Sequence, residues 1–208
     1  MNHCSIYPLT IDTEIRLISG PFNMNNGYLI IPKILSGELL DFIGTHAFNR
    51  ARIDGTITAE PPFLNTPAFY ADLTMENLSD FLLPKIESAT NMKLLPTYTH
   101  FRVYNAGDVL PKHTDREPCE ISVSLCLRKK GNIWPIYINN TAVMLEEGDA
   151  VVYKGCEVEH WREPYTEGTK QAQLFLHYVD ANGSHTKWKV IEKKRKEMEW
   201  RKREVRFE

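Results

Sequence analysis

The spacing of hydrophobic and polar positions changes once along the chain, near Thr97. Before that point the apolar residues recur at helical intervals. Leu39, Leu40, Ile43 and Ala47 predict a helix over residues 36–48, with Ser36 placed to cap it. Leu78, Phe81, Leu82 and Ile86 predict a second helix from Met75 to about Ala89, kinked or broken at Pro84. Residues 1–31 read as extended and irregular, with a turn-rich stretch from Gly20 to Gly27 ahead of a β-like Tyr28–Ile31, and the proline-rich residues 54–72 read as loop with short strand pieces. After Thr97 the period shortens to two. Strands are expected over Thr99–Tyr104, Val109–Asp115, Ile121–Leu127, Trp134–Ile138, Ala142–Leu145, Ala150–Tyr153, His160–Arg162 and Gln171–Val179, separated by Gly, Asn and Asp turns. Short strands at this spacing imply a sandwich or barrel, so the chain reads as mainly β with flanking helices (α+β). It divides into an N-terminal support (residues 1–96), a β core (97–180) and a charged C-terminal helix (181–208), all in one domain. That last helix is expected to lie on the sheet through Trp188, Ile191, Met198 and Trp200.

Composition narrows the classes. The chain has 208 residues, 42% hydrophobic and 25% charged, with a formal charge of −2, so no global basic excess points to nucleic acid as the main partner. The basic runs Lys193–Lys196 and Arg201–Arg203 leave nucleic-acid contact by the tail as a lesser alternative. The first residues lack a basic segment followed by an apolar one, and no stretch approaches the length of a membrane span. The cysteines at positions 4, 119, 126 and 156 form no CxxC pair, which argues against a disulfide framework or a thiolate zinc site. A cytoplasmic protein is expected.

Candidate chemistry gathers around His113-Thr114-Asp115 and His160. On a strand, side chains two apart share a face, so His113 and Asp115 converge, and His160 opens a later strand after the Gly148-Asp149 turn. Two imidazoles and a carboxylate on one face of an octahedral iron leave positions for a bidentate acid and dioxygen; structural zinc would need a fourth ligand. Lys170 shares alternation with Ala172, Leu174 and Leu176, which predicts an ammonium drawn into an apolar barrel interior and in need of an anion. Arg162, two residues after His160, is the alternative anion clamp. Tyr104 is a core aromatic or a co-substrate contact. Arg102, on the same strand face, is a substrate-carboxylate contact or a salt-bridged structural residue. Arg116 and Glu120 either line the site mouth or form a surface pair, and Ser122, Ser124 and Cys126 give one strand a polar face that fits a pocket wall or solvent. His177 reads as structural; His100 and His185 carry no assignment.

The run Tyr104-Asn105-Ala106-Gly107-Asp108, then His113-Thr114-Asp115, then His160 with Pro164 and Gly168-Thr169-Lys170, resembles the prolyl-4-hydroxylase-like branch of the 2-oxoglutarate/Fe(II) dioxygenases over roughly residues 25–180. The resemblance implies a double-stranded β-helix (jelly roll). It implies His113, Asp115 and His160 as iron(II) ligands, Lys170 as the clamp on the distal carboxylate of 2-oxoglutarate, and Tyr104 beside that co-substrate. It also implies dioxygen as co-substrate, ascorbate as supporting reductant, and hydroxylation of a peptidyl or free amino-acid-like substrate with release of succinate and carbon dioxide. Asp115 favours hydroxylation over halogenation, because related halogenases lack this carboxylate. The rival readings are a non-redox metal-binding jelly roll of the cupin kind and a nucleic-acid-binding, demethylase-like protein that uses its tail.

Overall fold

The computed structural model describes residues 27–53 and 66–204; expectations for residues 1–26, 54–65 and 205–208 lie outside them. In chain order come β1 (Tyr28–Ile31), α1 (Gly37–Ile53), β2 (Ala68–Tyr70), α2 (Leu73–Thr90), β3 (Leu94–Asn105) and β4 (Leu110–His113). A 3-10 turn (Glu117–Cys119) leads to β5 (Ile121–Gly131), β6 (Ile136–Ile138), β7 (Thr141–Val143), β8 (Ala150–Tyr153), β9 (His160–Arg162), β10 (Gly168–Asp180) and α3 (Lys187–Glu204). The larger sheet has the order β1-β8-β5-β10-β3-β2 and the smaller β4-β9-β6-β7, with antiparallel pairings. From β3 onward the chain winds between them: β3, β5, β8 and β10 lie in one sheet and β4, β6, β7 and β9 in the other. The fold is a double-stranded β-helix with helices on one side.

Alternation along the central strands assigns each face to a layer. Ala172, Leu174, Leu176 and Tyr178 of β10 join Val123, Leu125 and Leu127 of β5 in one apolar cluster. Ile43 and Ala47 of α1 and Met75, Leu78, Leu82 and Ile86 of α2 belong to the same cluster. The apolar face of the larger sheet is therefore the helix-covered one. The opposite face looks into the barrel. There Val151 and Tyr153 of β8 and Cys126 of β5 meet Ile136, Ile138 and Val143 of the smaller sheet at one end. The buried polar side chains Ser122, Ser124, Gln171, Gln173 and His177 occupy the rest of that face.

Local chemistry sets the helix ends. Asp72 caps α2, accepting from the backbone N–H of Thr74 at 3.0 Å and of Met75 at 3.4 Å. His46 and Arg50 on α1 hold the same carboxylate at 3.1 and 3.3 Å, tying the two helices together. Of the kink or break expected at Pro84, the break does not occur: α2 runs continuously through it. The proline is exposed, so water can satisfy the carbonyl that its ring deprives of a partner. The docking of α3 also differs from expectation. Ile191 and Met198 remain exposed. The helix is instead held by residues four apart: Trp188 Nε1 donates to Glu117 at 2.8 Å, Glu192 accepts from Tyr70 at 2.6 Å, Lys196 pairs with Glu76, and Trp200 Nε1 donates to the Ala71 carbonyl at 2.8 Å. None of the described helices is long and apolar enough to cross a membrane.

Candidate metal centre

β4 and β9 pair so that His113 lies directly opposite His160, and their rings sit 4.3 Å apart. Asp115 follows on the loop after β4, its backbone N–H bonded to the Gly155 carbonyl at 2.8 Å. Its Oδ1 is 3.6 Å from Nε2 of each histidine. Both imidazoles turn their other nitrogen to a backbone carbonyl two residues earlier, His113 Nδ1 to Pro111 at 2.8 Å and His160 Nδ1 to Val158 at 3.1 Å. A neutral imidazole that donates through Nδ1 presents the Nε2 lone pair, so both rings are fixed in the tautomer a metal needs. Three ligand atoms within 4.8 Å of one another thus converge, and among the described residues no fourth joins this group; Asp115 also lies as close to Cys119 and His177. Such an open face suits an octahedral metal that takes exogenous ligands.

Asp115 is braced from behind. Ser122 Oγ on β5 donates to Asp115 Oδ2 at 2.6 Å, and His177 Nδ1 on β10 lies 3.0 Å from the same hydroxyl. The serine proton is committed to the carboxylate, so His177 must donate, which fixes its Nδ1–H form. Burial opposes ionisation of Asp115, but the adjacent His113, His177 and His160 and the Ser122 hydroxyl outweigh it and hold its pKa at about 2. Burial lowers His160, while the adjacent Asp115 carboxylate raises His113. Gly155 makes room for this arrangement: a Cβ there would lie 2.3 Å from the Cys119 carbonyl and 2.5 Å from Asp115 Oδ2.

The centre opens on a cavity of about 420 Å³, lined among others by Tyr98, His100, Arg102, Tyr104, Arg116 and His177. Behind Tyr104, inside the barrel, lies Arg162. It is 2% exposed, its guanidinium stacks over Trp134 at 4.9 Å, and Nη1 donates to the Trp134 carbonyl. Nε and Nη2 of Arg162 and the Tyr104 hydroxyl are buried without hydrogen-bond partners. A guanidinium is costly to bury and still costlier with unsatisfied N–H groups, and none of the described residues supplies the anion that would offset this cost. Gln171, hydrogen-bonded to Gln173 and through it to Ser124, continues the polar face of the larger sheet.

The structure therefore brings His113, Asp115 and His160 together and places Tyr104 and Arg162 inside the barrel, but not Lys170. That lysine is exposed at the start of β10, paired across to Asn105 and Lys130. The expectation of a buried ammonium is corrected for a physical reason: the apolar face that Lys170 shares is the one under the helices, and the strand end extends past their cover. The polar alternation of Gln171, Gln173 and His177 was the sequence signal for the interior. Arg116 lines the cavity and donates to the Tyr98 hydroxyl at 3.3 Å, whereas Glu120 accepts from the Asp180 backbone. The polar faces of β5 and β10, Gly155 and His100 are the parts that sequence reasoning left unassigned or undecided, and His177, read as structural, lines the cavity as well as bracing Ser122.

No protein-family model and no curated protein matches this chain. Solved structures do match. The 2-oxoglutarate- and 5-hydroxyectoine-bound EctD from S. alaskensis superposes with a TM-score of 0.61 at 14% identity, covering 74% of this chain and 72% of that one. The non-heme alpha ketoglutarate dependent epimerase SnoN from nogalamycin biosynthesis gives 0.59 at 12%, covering 74% and 77%. A Pseudomonas putida prolyl-4-hydroxylase gives 0.54 at 16%, covering 75% and 94%. At these identities the likeness is one of fold, and the chain shares the double-stranded β-helix of these three proteins.

Proposed function

We propose that this chain is an iron(II)- and 2-oxoglutarate-dependent oxygenase in which His113, Asp115 and His160 hold the metal. In this reading Arg162, with Tyr104, takes the distal carboxylate of 2-oxoglutarate. The observation that carries the reading is the pairing of an open three-ligand face with a buried guanidinium whose Nε and Nη2 lack partners. A non-redox metal-binding jelly roll has no need of that cation. When bound, iron(II) and 2-oxoglutarate supply dioxygen activation, coupling decarboxylation of the keto acid to succinate and carbon dioxide with oxidation of a substrate C–H bond. The chain's own part is positional. The Pro111 and Val158 carbonyls aim the two imidazoles, Ser122 and His177 hold Asp115, and Arg162 orients the keto acid from the dry end of the barrel. A carboxylate is present at position 115, which favours hydroxylation over halogenation. The substrate in this reading is a peptidyl or free amino-acid-like molecule reaching the metal through the cavity that Arg102 and Arg116 help to line.

The test is turnover. The protein should convert 2-oxoglutarate to succinate in a reaction that requires iron(II) and dioxygen, and His113→Ala, Asp115→Ala and His160→Ala should each abolish it while the fold survives. Succinate formation that persists without iron, or in any of those variants, would remove the metal assignment.

A further inference from the structure

On the barrel face of the larger sheet, one chain of hydrogen-bonded side chains ends on an unsatisfied atom. Gln171 Nε2 on β10 donates to Gln173 Oε1 at 3.0 Å, and Gln173 Nε2 donates to Ser124 Oγ on β5 at 2.8 Å. All three side chains are buried. Each end of the chain carries a defect. Gln171 Oε1 is buried without a hydrogen-bond partner, and the Ser124 hydroxyl, which accepts from Gln173, has no acceptor for its own proton among the described residues. A half-turn of both amides exchanges their oxygen and nitrogen ends with almost no change of shape. In the reversed order Ser124 donates to Gln173 Oε1, Gln173 Nε2 donates to Gln171 Oε1, and only Gln171 Nε2 is left over. Reversal therefore uses the Ser124 proton and turns a buried acceptor into a buried donor.

That donor stands beside the place assigned to the keto acid. Gln171 is paired directly opposite Tyr104 of β3, so their side chains are neighbours on one face. The Tyr104 ring meets Trp134 edge-on at 5.0 Å, and Arg162 lies over the same Trp134 at 4.9 Å. Although they are neighbours, the Tyr104 hydroxyl and Gln171 Oε1 are each unpartnered rather than bonded to one another, which leaves both for a third group. We infer that Gln171 is a further binding residue for the distal carboxylate of 2-oxoglutarate, and that the Ser124–Gln173–Gln171 relay reverses to present Gln171 Nε2 when this anion binds. The inference rests on the proposed oxygenase reading, which supplies the anion. A carboxylate only accepts hydrogen bonds, so it meets the present order with repulsion from Gln171 Oε1 and the reversed order with a charge-assisted bond.

Gln171 and Gln173 are the only glutamines in the sequence, so glutamine labelled with nitrogen-15 gives NMR side-chain signals from the relay alone. With zinc(II) in place of iron(II) and 2-oxoglutarate added to the full-length protein, both side-chain amides should shift together as the ligand saturates. In an anaerobic titration of the iron(II)-loaded protein, Gln171→Met should weaken 2-oxoglutarate binding about tenfold, the usual loss for one charge-assisted hydrogen bond, with iron affinity unchanged. Gln171→Glu should lose more, because its carboxylate faces that of the ligand. If Gln171 merely filled space, glutamate, which keeps its shape, would be the milder change. The wild-type signals test the relay even where a variant fails to fold. Bound 2-oxoglutarate that leaves both amides unmoved, or moves Gln171 alone, would overturn the reversal. Unchanged affinity in Gln171→Met, or a glutamate variant milder than the methionine one, would overturn the contact. Either result leaves the oxygenase reading standing, whereas a wild-type protein that binds no 2-oxoglutarate sinks that reading and the inference with it.

Discussion

The Ser122 hydroxyl lies 2.6 Å from Asp115 Oδ2, so a strand of the larger sheet sets the angle of the one carboxylate facing the two histidines. Because His177 donates to that hydroxyl from the neighbouring strand, the brace spans β5 and β10 before it reaches the candidate metal. Ser122→Ala removes the bond without adding bulk. Metal affinity should fall by about ten- to a hundredfold, the usual effect of losing a partner of a metal ligand. A chelator-competition titration reads this directly, and unchanged affinity would mean that Asp115 is held by its backbone alone.

Gly155 supports the same loop from below. Gly155→Ala would put a methyl group 2.3 Å from the Cys119 carbonyl and 2.5 Å from Asp115 Oδ2. The backbone or the carboxylate must move. The expected cost is about 1–3 kcal/mol in a urea melt, together with weaker metal binding. A variant that keeps full stability and metal affinity would show that the loop has slack the structure does not display.

His177 gives the metal-free protein a dependence on pH. Burial lowers its pKa to about 4 from the ordinary 6.5, so the unfolded chain takes up the proton first as pH falls. Stability contributed by neutral His177 is complete above pH 6.5 and is lost progressively down to about pH 4, by about 3 kcal/mol at most. Asp115, held at about 2, contributes stability above its ordinary 3.8 that is lost only below that value, so the two windows separate. Urea melts from pH 7 to 4 should therefore show a slope that His177→Gln removes. An identical slope in the variant would assign it to another group.

Much of this arrangement was legible before any coordinates. β8 and β9 were read at their observed limits because Gly148-Asp149 and the residues before His160 punctuate a strongly alternating run. The two histidines and Asp115 were readable as a set from their types and spacing, although Asp115 lies on the loop after β4 and the pairing of His113 opposite His160 needed the strand register. Lys170 was misplaced because alternation tells which residues share a face but not what covers it. In this fold the helices claim the apolar face of the larger sheet and leave a polar one to line the barrel. Ile191 and Met198 misled for a related reason: a helix so rich in charge docks through Trp188, Glu192, Lys196 and Trp200, whose contacts are hydrogen bonds and ion pairs that hydrophobic periodicity does not register. The brace from Ser122 and His177 joins residues 55 positions apart and needed the register of β5 against β10 to be seen.

The central claim is that a metal at His113, Asp115 and His160 works with a keto acid anchored by Arg162. Anaerobic titration of 2-oxoglutarate into the iron(II)-loaded protein, followed by the metal-to-ligand absorption band, tests it most directly. The band should appear with wild type and, at the same concentrations, with Lys170→Met; it should vanish in His160→Ala. Arg162→Met should require about ten- to a hundredfold more 2-oxoglutarate, the usual loss for one buried charged hydrogen bond. A wild-type protein that gives no band, or a Lys170→Met variant that loses 2-oxoglutarate while Arg162→Met keeps it, would contradict the account.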